Sequence, residues 1–324
     1  MTMKKDKQTN ISAGADGSAA APRRHPFIKY ISNYYQIYLL MLPAVIFIFI
    51  FCYYPMYGAQ IAFRDYKFKL GIWGSEWVGL KHFIRFVTGA NFWQLFRNTL
   101  LLSLYSLVAG FPVPIILAFL LNEMRSQAFK RTVQMLTYIP HFMSTVSVCG
   151  LILLFLKRDT GIINQVITLL GGEAKDFISD PKAFRTIYVL SGVWQGAGWG
   201  SIIYLAALSG VDSQIIEAAR IDGANRIQKI LYIDFPSILP TIIILLILNC
   251  GSILSVGSDK VLLLQNPLNM DTSDVISTYV YRIGILDAQY SFTTAIGLFN
   301  SIINVIMLTI VNTVAGKLGD TSLW

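Results

Sequence analysis

Six stretches of this chain contain no Asp, Glu, Lys or Arg: residues 30–63, 98–122, 132–156, 186–211, 235–258 and 288–316. The next longest such interval, 160–172, has 13 residues, whereas each of the six has at least 24. About 20 residues of helix cross about 30 Å of hydrocarbon, so each of the six is long enough to span a bilayer. The competing reading is a buried core helix of a large soluble protein, but six such intervals in one chain weigh against it. Composition agrees: 54% of the 324 residues are hydrophobic and only 14% charged, against about 25% charged in ordinary soluble domains. The fold expected is an all-α integral membrane protein with six transmembrane helices, near 36–58, 98–121, 135–156, 187–209, 236–257 and 291–315, within a membrane domain over 30–318.

Residues 1–29 are rich in Ala, Gly, Ser and Lys and are expected to be a disordered basic tail, because they offer too little apolar surface to offset ordering. The apolar run from Ile37 to Phe51 follows some 35 polar residues and no small-residue cleavage site comes after it, so it reads as a retained helix rather than a signal peptide. Lys4, Lys5, Lys7, Arg23, Arg24 and Lys29 place the N-terminus in the cytoplasm, and six crossings return the C-terminus to that side. With this orientation the inner and outer segments each hold 13 Lys and Arg, so the orientation rests mostly on the region before the first helix. The net charge of +8 is thus spread along a membrane chain, and nucleic acid is not an expected partner.

Pro112 and Pro114 remove backbone donors from the second helix and should bend it, either to ease packing or to shape a cavity. Pro140 and His141 lie near the start of the third. Gly192, Gly196 and Gly200 recur every four residues in the fourth and line one face where another helix can approach. The outer segment 59–97 carries Trp73, Trp77, Phe83, Phe92 and Trp93, a density of aromatics that suits a membrane interface.

Between the fourth and fifth helices, Gly210 to Phe235 holds Asp212, Glu217, Arg220, Asp222, Arg226, Lys229 and Asp234. It is too long for a simple turn, and 214–220 and 225–232 are helix-compatible around Asp222-Gly223. Two short cytoplasmic helices joined at Gly223 are expected. Their mixed charges and apolar residues form either a docking surface for a soluble protein or a loop folded on its own membrane domain.

Several chemistries have no support. No Gly-x-x-x-x-Gly-Lys-Ser/Thr run is present, so any ATP dependence must come from another subunit. His25, His82 and His141 lack metal-site spacing, and no Gly-x-Ser-x-Gly elbow occurs. Cys52, Cys149 and Cys250 are scattered through apolar stretches, which argues against both a disulfide scaffold and zinc. Neither a catalytic nor a metal site is expected. The six apolar intervals contain no carboxylate, which weakens a proton-coupled carrier.

The run EAARIDGANRIQKILYIDFPSILP, Glu217 to Pro240, resembles the EAA loop of ATP-binding-cassette importer permeases. Glu217, Ala218, Ala219, Asp222, Gly223, Ala224, Pro236, Leu239 and Pro240 match its pattern, while Phe235 stands where Leu is usual. WVGLKHF at 77–83 and FWQLFRNTL at 92–100 resemble two further elements of the sugar and polysaccharide (maltose-type) branch. Within it, the likeness is strongest to permeases of bacterial alginate oligosaccharide importers.

The resemblance implies a multi-pass permease of the bacterial inner (cytoplasmic) membrane that moves oligo- or polysaccharide, alginate above all, by alternating access. It also implies a second permease subunit, usually a different chain, a pair of ATP-binding-cassette ATPases that bind the ATP and Mg, and an extracytoplasmic solute-binding protein. The chain itself would carry no cofactor and no catalytic group. Glu217, Ala218, Ala219, Asp222, Gly223 and Ala224 would couple it to the ATPase, with Glu217 meeting either the ATPase or its own loop. Gly223 would permit the corner between the short helices, and Pro236 and Pro240 would suit the first turn of helix five.

A neutral sugar path needs aromatic faces and uncharged hydrogen-bonding groups. Helix four offers Trp194, Gln195 and Trp199, and helix five offers Asn249 and Ser252 three residues apart on one face. The resemblance adds Gly196 and favours Trp199, Asn249 and Ser252. For each, an interhelical bond or an interfacial anchor is the plainer explanation. Outer segment 59–97 has six basic residues against two acidic, a surface able to steer a polyuronate, an acidic delivery protein or lipid headgroups. The alternative function is a channel or receptor-like membrane protein whose cytoplasmic loop recruits a signalling partner.

Overall fold

A computed structural model describes residues 33–318, 322 and 323; the tail expected over 1–29 lies outside the described residues. The chain divides into two units, one ending at Gly58 and the other running from Ala59 to Trp324. In the first, α1 (Tyr35–Ile48) continues through a π turn (Phe49–Tyr53) placed just before Pro55. The whole apolar helical stretch runs Tyr35–Phe63. Every side chain from 33 to 57 is exposed, as on a helix whose apolar surface faces lipid on all sides.

The second unit opens with a two-stranded antiparallel ribbon, β1 (Arg64–Asp65) and β2 (Glu76–Trp77), Arg64 opposite Trp77. A short helix α2 (Lys81–Val87) follows. Next come α3 (Phe92–Gly110) and α4 (Pro112–Asn122), which together make a 31-residue span interrupted at Phe111, where Pro112 and Pro114 contribute no backbone donor.

The third expected helix is broken. Instead of one rod over 135–156, α5 (Gln127–Tyr138) passes through a 3-10 turn (Ile139–Phe142) and bends by 101° into α6 (Thr145–Leu156). Pro140 interrupts the hydrogen-bond ladder and Met143 is extended. Ser144 then caps a new helix by accepting from Ser147 N at 3.1 Å. α6 alone has 12 residues, about 18 Å, so it spans only together with α5.

After α7 (Ile162–Leu169), α8 (Pro181–Ser209) is a single 29-residue helix whose N-cap, Asp180, accepts from Lys182 N at 2.8 Å. It turns by 77° into α9 (Ser213–Ile221). Beyond Gly223, α10 (Arg226–Lys229) is not a separate short helix. It runs through a π turn (Ile230–Asp234) into α11 (Phe235–Cys250), giving one 25-residue helix, Arg226–Cys250. Helix five therefore starts ten residues before Pro236, which lies inside it. The π turn lets Phe235 N–H reach Ile230 O just before this donor-less proline. The chain leaves the helix at Gly251, earlier than 257, through turns that lead to α12 (Ser258–Leu264), α13 (Met270–Ser273) and α14 (Ile276–Tyr281). α15 (Tyr290–Leu318) is the last long helix.

Four described helices are long and apolar enough to cross a membrane, and six when each bent pair counts as one span. The second unit is held by three apolar clusters. One joins Leu102, Cys149, Phe184 and Val261; one joins Phe86, Leu95, Ile276 and Ile296; the third joins Ile115, Tyr204, Leu208 and Ile238.

Candidate functional site

Local signals shape the segment between α8 and α11. Asp212 accepts from Gln214 N at 2.8 Å and starts α9. Gly223 then takes φ +81°, with nothing within 4 Å of where a Cβ would stand. Asn225 accepts from Gln228 N at 2.9 Å and Gln228 Oε1 accepts from Asn225 N at 2.8 Å, a reciprocal cap on α10. The positive φ at Gly223 is one that residues with a Cβ adopt at a cost. Glu217, Ala218 and Asp222 are exposed, and Ala219 and Ala224 are half-buried. Among the described residues Glu217 makes no ion pair. Ile221 is 87% exposed, and Ile215, Ile227 and Tyr232 are also bare, a dense set of apolar side chains on a charged segment.

This segment is tied to the end of α4. Lys229 donates to Glu123 and lies 3.2 Å from Asp234, whose side chain is only 1% exposed. A cavity of about 740 Å³ opens beside the tie, with Ala219, Ala224, Arg220 and Arg125 on its wall.

A second cavity, of about 420 Å³, lies between α3–α4, α8 and the end of α11. Asn249 and Ser252 line it; Asn249 Nδ2 donates to Leu245 O at 2.7 Å and Ser252 Oγ to Asn249 O at 3.1 Å, which leaves Asn249 Oδ1, the second N–H of Nδ2 and the lone pairs of Ser252 Oγ as handles. The other walls come from Ser103 and Ser106 of α3 and Gly200 and Tyr204 of α8.

The four remaining residues proposed for the path face elsewhere. Trp194 lies on a separate apolar groove. Gln195 donates to Met143 O at 3.1 Å, and Trp199 stacks on His141 with ring centres 4.6 Å apart and planes 2° from parallel. Gly196 faces open space. Ser103, Ser106, Tyr188 and Tyr204 were not singled out by sequence; small hydroxyls and tyrosines at helical spacing carry no signal until the helices are assembled around a common cavity.

Just beyond the cavity, Lys260 of α12 donates from Nζ to Tyr188 O at 3.0 Å and sits over that ring. Burial pushes its pKa down to about 8, opposed by the Cys149 sulfur nearby.

Comparison with known proteins places this geometry. Residues 110–319 match the family described as "binding-protein-dependent transport system inner membrane component". The chain is 45% identical, over 93% of its own length and 94% of the relative's, to the polygalacturonan/rhamnogalacturonan transport system permease protein YteP of Bacillus subtilis. It is 26% identical over 88% of both chains to the arabinooligosaccharides transport system permease protein AraP of the same organism. Among solved structures, a chain of a bacterial alginate transporter in complex with an alginate pentasaccharide-bound periplasmic protein superposes with a TM-score of 0.84. That chain is 38% identical, and the match covers 92% of this chain and all of that one. A helical chain with this fold, matched along most of its length, belongs to the binding-protein-dependent transport system inner membrane components and is a permease of an ATP-binding-cassette importer for sugars or polysaccharides.

Proposed function

We propose that the cargo is an acidic oligo- or polysaccharide, alginate or another polyuronate, and that the segment 210–235 couples the permease to its ATPase. The observation that carries the cargo reading is the 45% identity, along nearly the whole chain, to a permease named for polygalacturonan and rhamnogalacturonan. The likeness to an alginate transporter supports it independently.

In this reading α9, Gly223 and α10 seat in a groove of a separate ATPase, with Glu217 free to meet a basic group there. Ala218, Ala219, Asp222 and Ala224 keep the docking surface compact. Because α10 is continuous with α11, and Lys229 is tied to Glu123, motion of the docked segment is passed to the fifth and second helices without a flexible joint. ATP and Mg belong to the ATPase pair, and this chain contributes no catalytic group. A second permease, a different chain as is usual in this family, completes the pore, and a solute-binding protein delivers cargo from outside. Both termini then lie in the cytoplasm of a bacterial cell with the chain in its inner membrane.

Asn249 and Ser252 are the residues proposed to meet cargo in the inner cavity, joined by Tyr204 and Ser106. Trp194, Gln195, Gly196 and Trp199 line the path only if the second permease brings cargo to that face of α8.

The test is the ATPase rate of the reconstituted complex with its binding protein, with alginate oligosaccharide, trigalacturonate, maltose or no sugar. Stimulation by uronates alone is expected. Stimulation by maltose alone would keep the importer and discard the acidic cargo.

A further inference from the structure

Far from the 210–235 segment, at the opposite end of α8, lies a cavity of about 450 Å³ that none of the readings above uses. Arg185 stands near the start of α8 and Ser209 at its end, so about 36 Å of helix, a full membrane thickness, separates the two regions. The volume is in the range of small-molecule sites.

Arg97 of α3 and Arg185 of α8 both line this cavity and repel one another. Among the described residues neither forms an ion pair. Arg185 is fixed by donating from Nη2 to Asn98 Oδ1 at 2.9 Å, and its Nε, sealed from solvent, has no acceptor. Asn98 is in turn buried and donates to Asp271 O at 2.8 Å and Asp274 O at 3.0 Å, so the guanidinium is carried on a rigid support. Asp271 is the one acid on the wall and makes no ion pair, while Asp274 is engaged by Arg282 at 2.7 Å.

Two guanidinium groups lining one cavity, neither of them in an ion pair, can take a carboxylate through fork–fork hydrogen bonds. Beside them Trp93 is 74% exposed. Phe92 and Phe96 brace it edge-on at 5.3 and 6.4 Å, which fixes the ring and leaves a face to solvent. Gln94 adds an amide whose nitrogen donates to Asp271 O at 3.3 Å, leaving its oxygen as an acceptor for a hydroxyl.

We propose that this cavity is an entry site for the uronate residues of an acidic saccharide, with Arg97 and Arg185 taking the carboxylate and Trp93 stacking on the sugar ring. The proposal rests on the acidic-cargo reading given above and assigns it a place on the outer end of the bundle, before the inner cavity at Asn249. The exposed ring next to two cations favours a sugar acid over an acidic loop of a delivery protein, which would need no aromatic face.

The experiment uses the complete importer in bilayer nanodiscs and measures binding of fluorescently labelled trigalacturonate, with maltotriose as the neutral competitor. Arg97→Gln is expected to raise the Kd about tenfold, the loss of one charge-assisted bond, and Trp93→Ala to weaken binding similarly, while maltotriose does not compete. Arg97 is exposed, so its variant tests the site without disturbing the support that Arg185 shares with Asn98. An unchanged Kd in Arg97→Gln would overturn the proposal. So would an equal loss of affinity for the cargo-free binding protein, which would make the cavity a protein-docking surface. An Arg97 effect seen only when phosphatidylglycerol is added to phosphatidylcholine would make it a headgroup site and overturn it too. A wild-type complex whose ATPase ignores trigalacturonate would instead refute the acidic cargo itself, which separates the two failures.

Discussion

At Gly198 the backbone of α8 comes so close to that of α5 that a Cβ would stand 2.0 Å from Thr137 O. Gly196, two residues away, has nothing within 4 Å. Gly198→Ala is therefore expected to destabilise the protein by about 1–3 kcal/mol, lowering its melting temperature in detergent by several degrees, and Gly196→Ala to leave it almost unchanged. Equal shifts in the two variants would refute the close approach. The four-residue spacing of Gly192, Gly196 and Gly200 was visible in the sequence, yet the tightest contact falls on a glycine outside it. Spacing shows which small residues share a face, but the break at Pro140 decides where α5 passes. Lys260 provides a second residue-level test. Its pKa falls from 10.5 to about 8 on folding, so below pH 8 both states are charged and the burial cost is fully present. Between about 8 and 10.5 the unfolded chain holds the proton that the folded chain has lost, and stability rises with pH. Melting temperature should increase from pH 7.5 to 9.5, and Lys260→Met should flatten that increase; a variant with the same slope would rule out Lys260 as its source.

Among the elements, the tie from α4 to the α10–α11 helix carries the most consequence. Asp234 is buried beside Lys229, with Glu123 on the other side of the ammonium. Lys229→Met strands a buried carboxylate and is expected to cost about 3 kcal/mol or more, whereas Glu123→Gln, which leaves the Lys229–Asp234 pair in place, should cost clearly less. Thermal unfolding of the two variants checks the order, and a larger loss in Glu123→Gln would show that Asp234 is not the group that needs the cation. Where elements begin and end was legible only when the signal was local. The turn at Gly223 was read from its own few residues, whereas the caps at Asp212 and Asn225, just as local, went unread because Asp212 counted only as a loop charge and Asn225 as part of the helix itself. The 101° bend between α5 and α6 could not be read, since a proline near a helix start is compatible with one rod or two, and the outcome turned on Ser144 capping a second helix. Nor could the early start of helix five, because Pro236 looks like a first-turn residue until a π turn carries the helix through it.

Across the whole molecule, the apolar intervals gave the helical membrane fold because chain length against bilayer thickness is a simple constraint, while the short ribbon of Arg64–Asp65 with Glu76–Trp77 lay outside that signal. The cavity at Asn249 was only partly legible: Asn249 and Ser252 both line it, but Ser252 stands in the turn beyond the end of α11 rather than on a shared helix face, and Tyr204, Gly200 and Ser106 join them only once three helices are assembled. The two ends of the bundle are connected by α8, which carries Arg185 near its start and enters α9 at its end, and by α10–α11, which runs from the 210–235 segment to the cavity at Asn249 without a break. A rigid helix can transmit a displacement over that distance only if its connection to the moving partner is itself stiff. Gly223 makes the corner that sets the angle between α9 and α10, at φ +81°; proline, with φ fixed near −65°, cannot form it. Ala219 faces the cavity beside Lys229, where a larger side chain would push α9 off the α4 tie. Gly223→Pro and Ala219→Trp are therefore expected to insert in the membrane and fold their remaining helices, yet to lose cargo-stimulated ATP hydrolysis in the reconstituted complex. Both stimulations kept at wild-type level would show that the segment is not the coupling element, whereas loss of stimulation together with loss of ATPase copurification would locate the defect in docking, upstream of the lever.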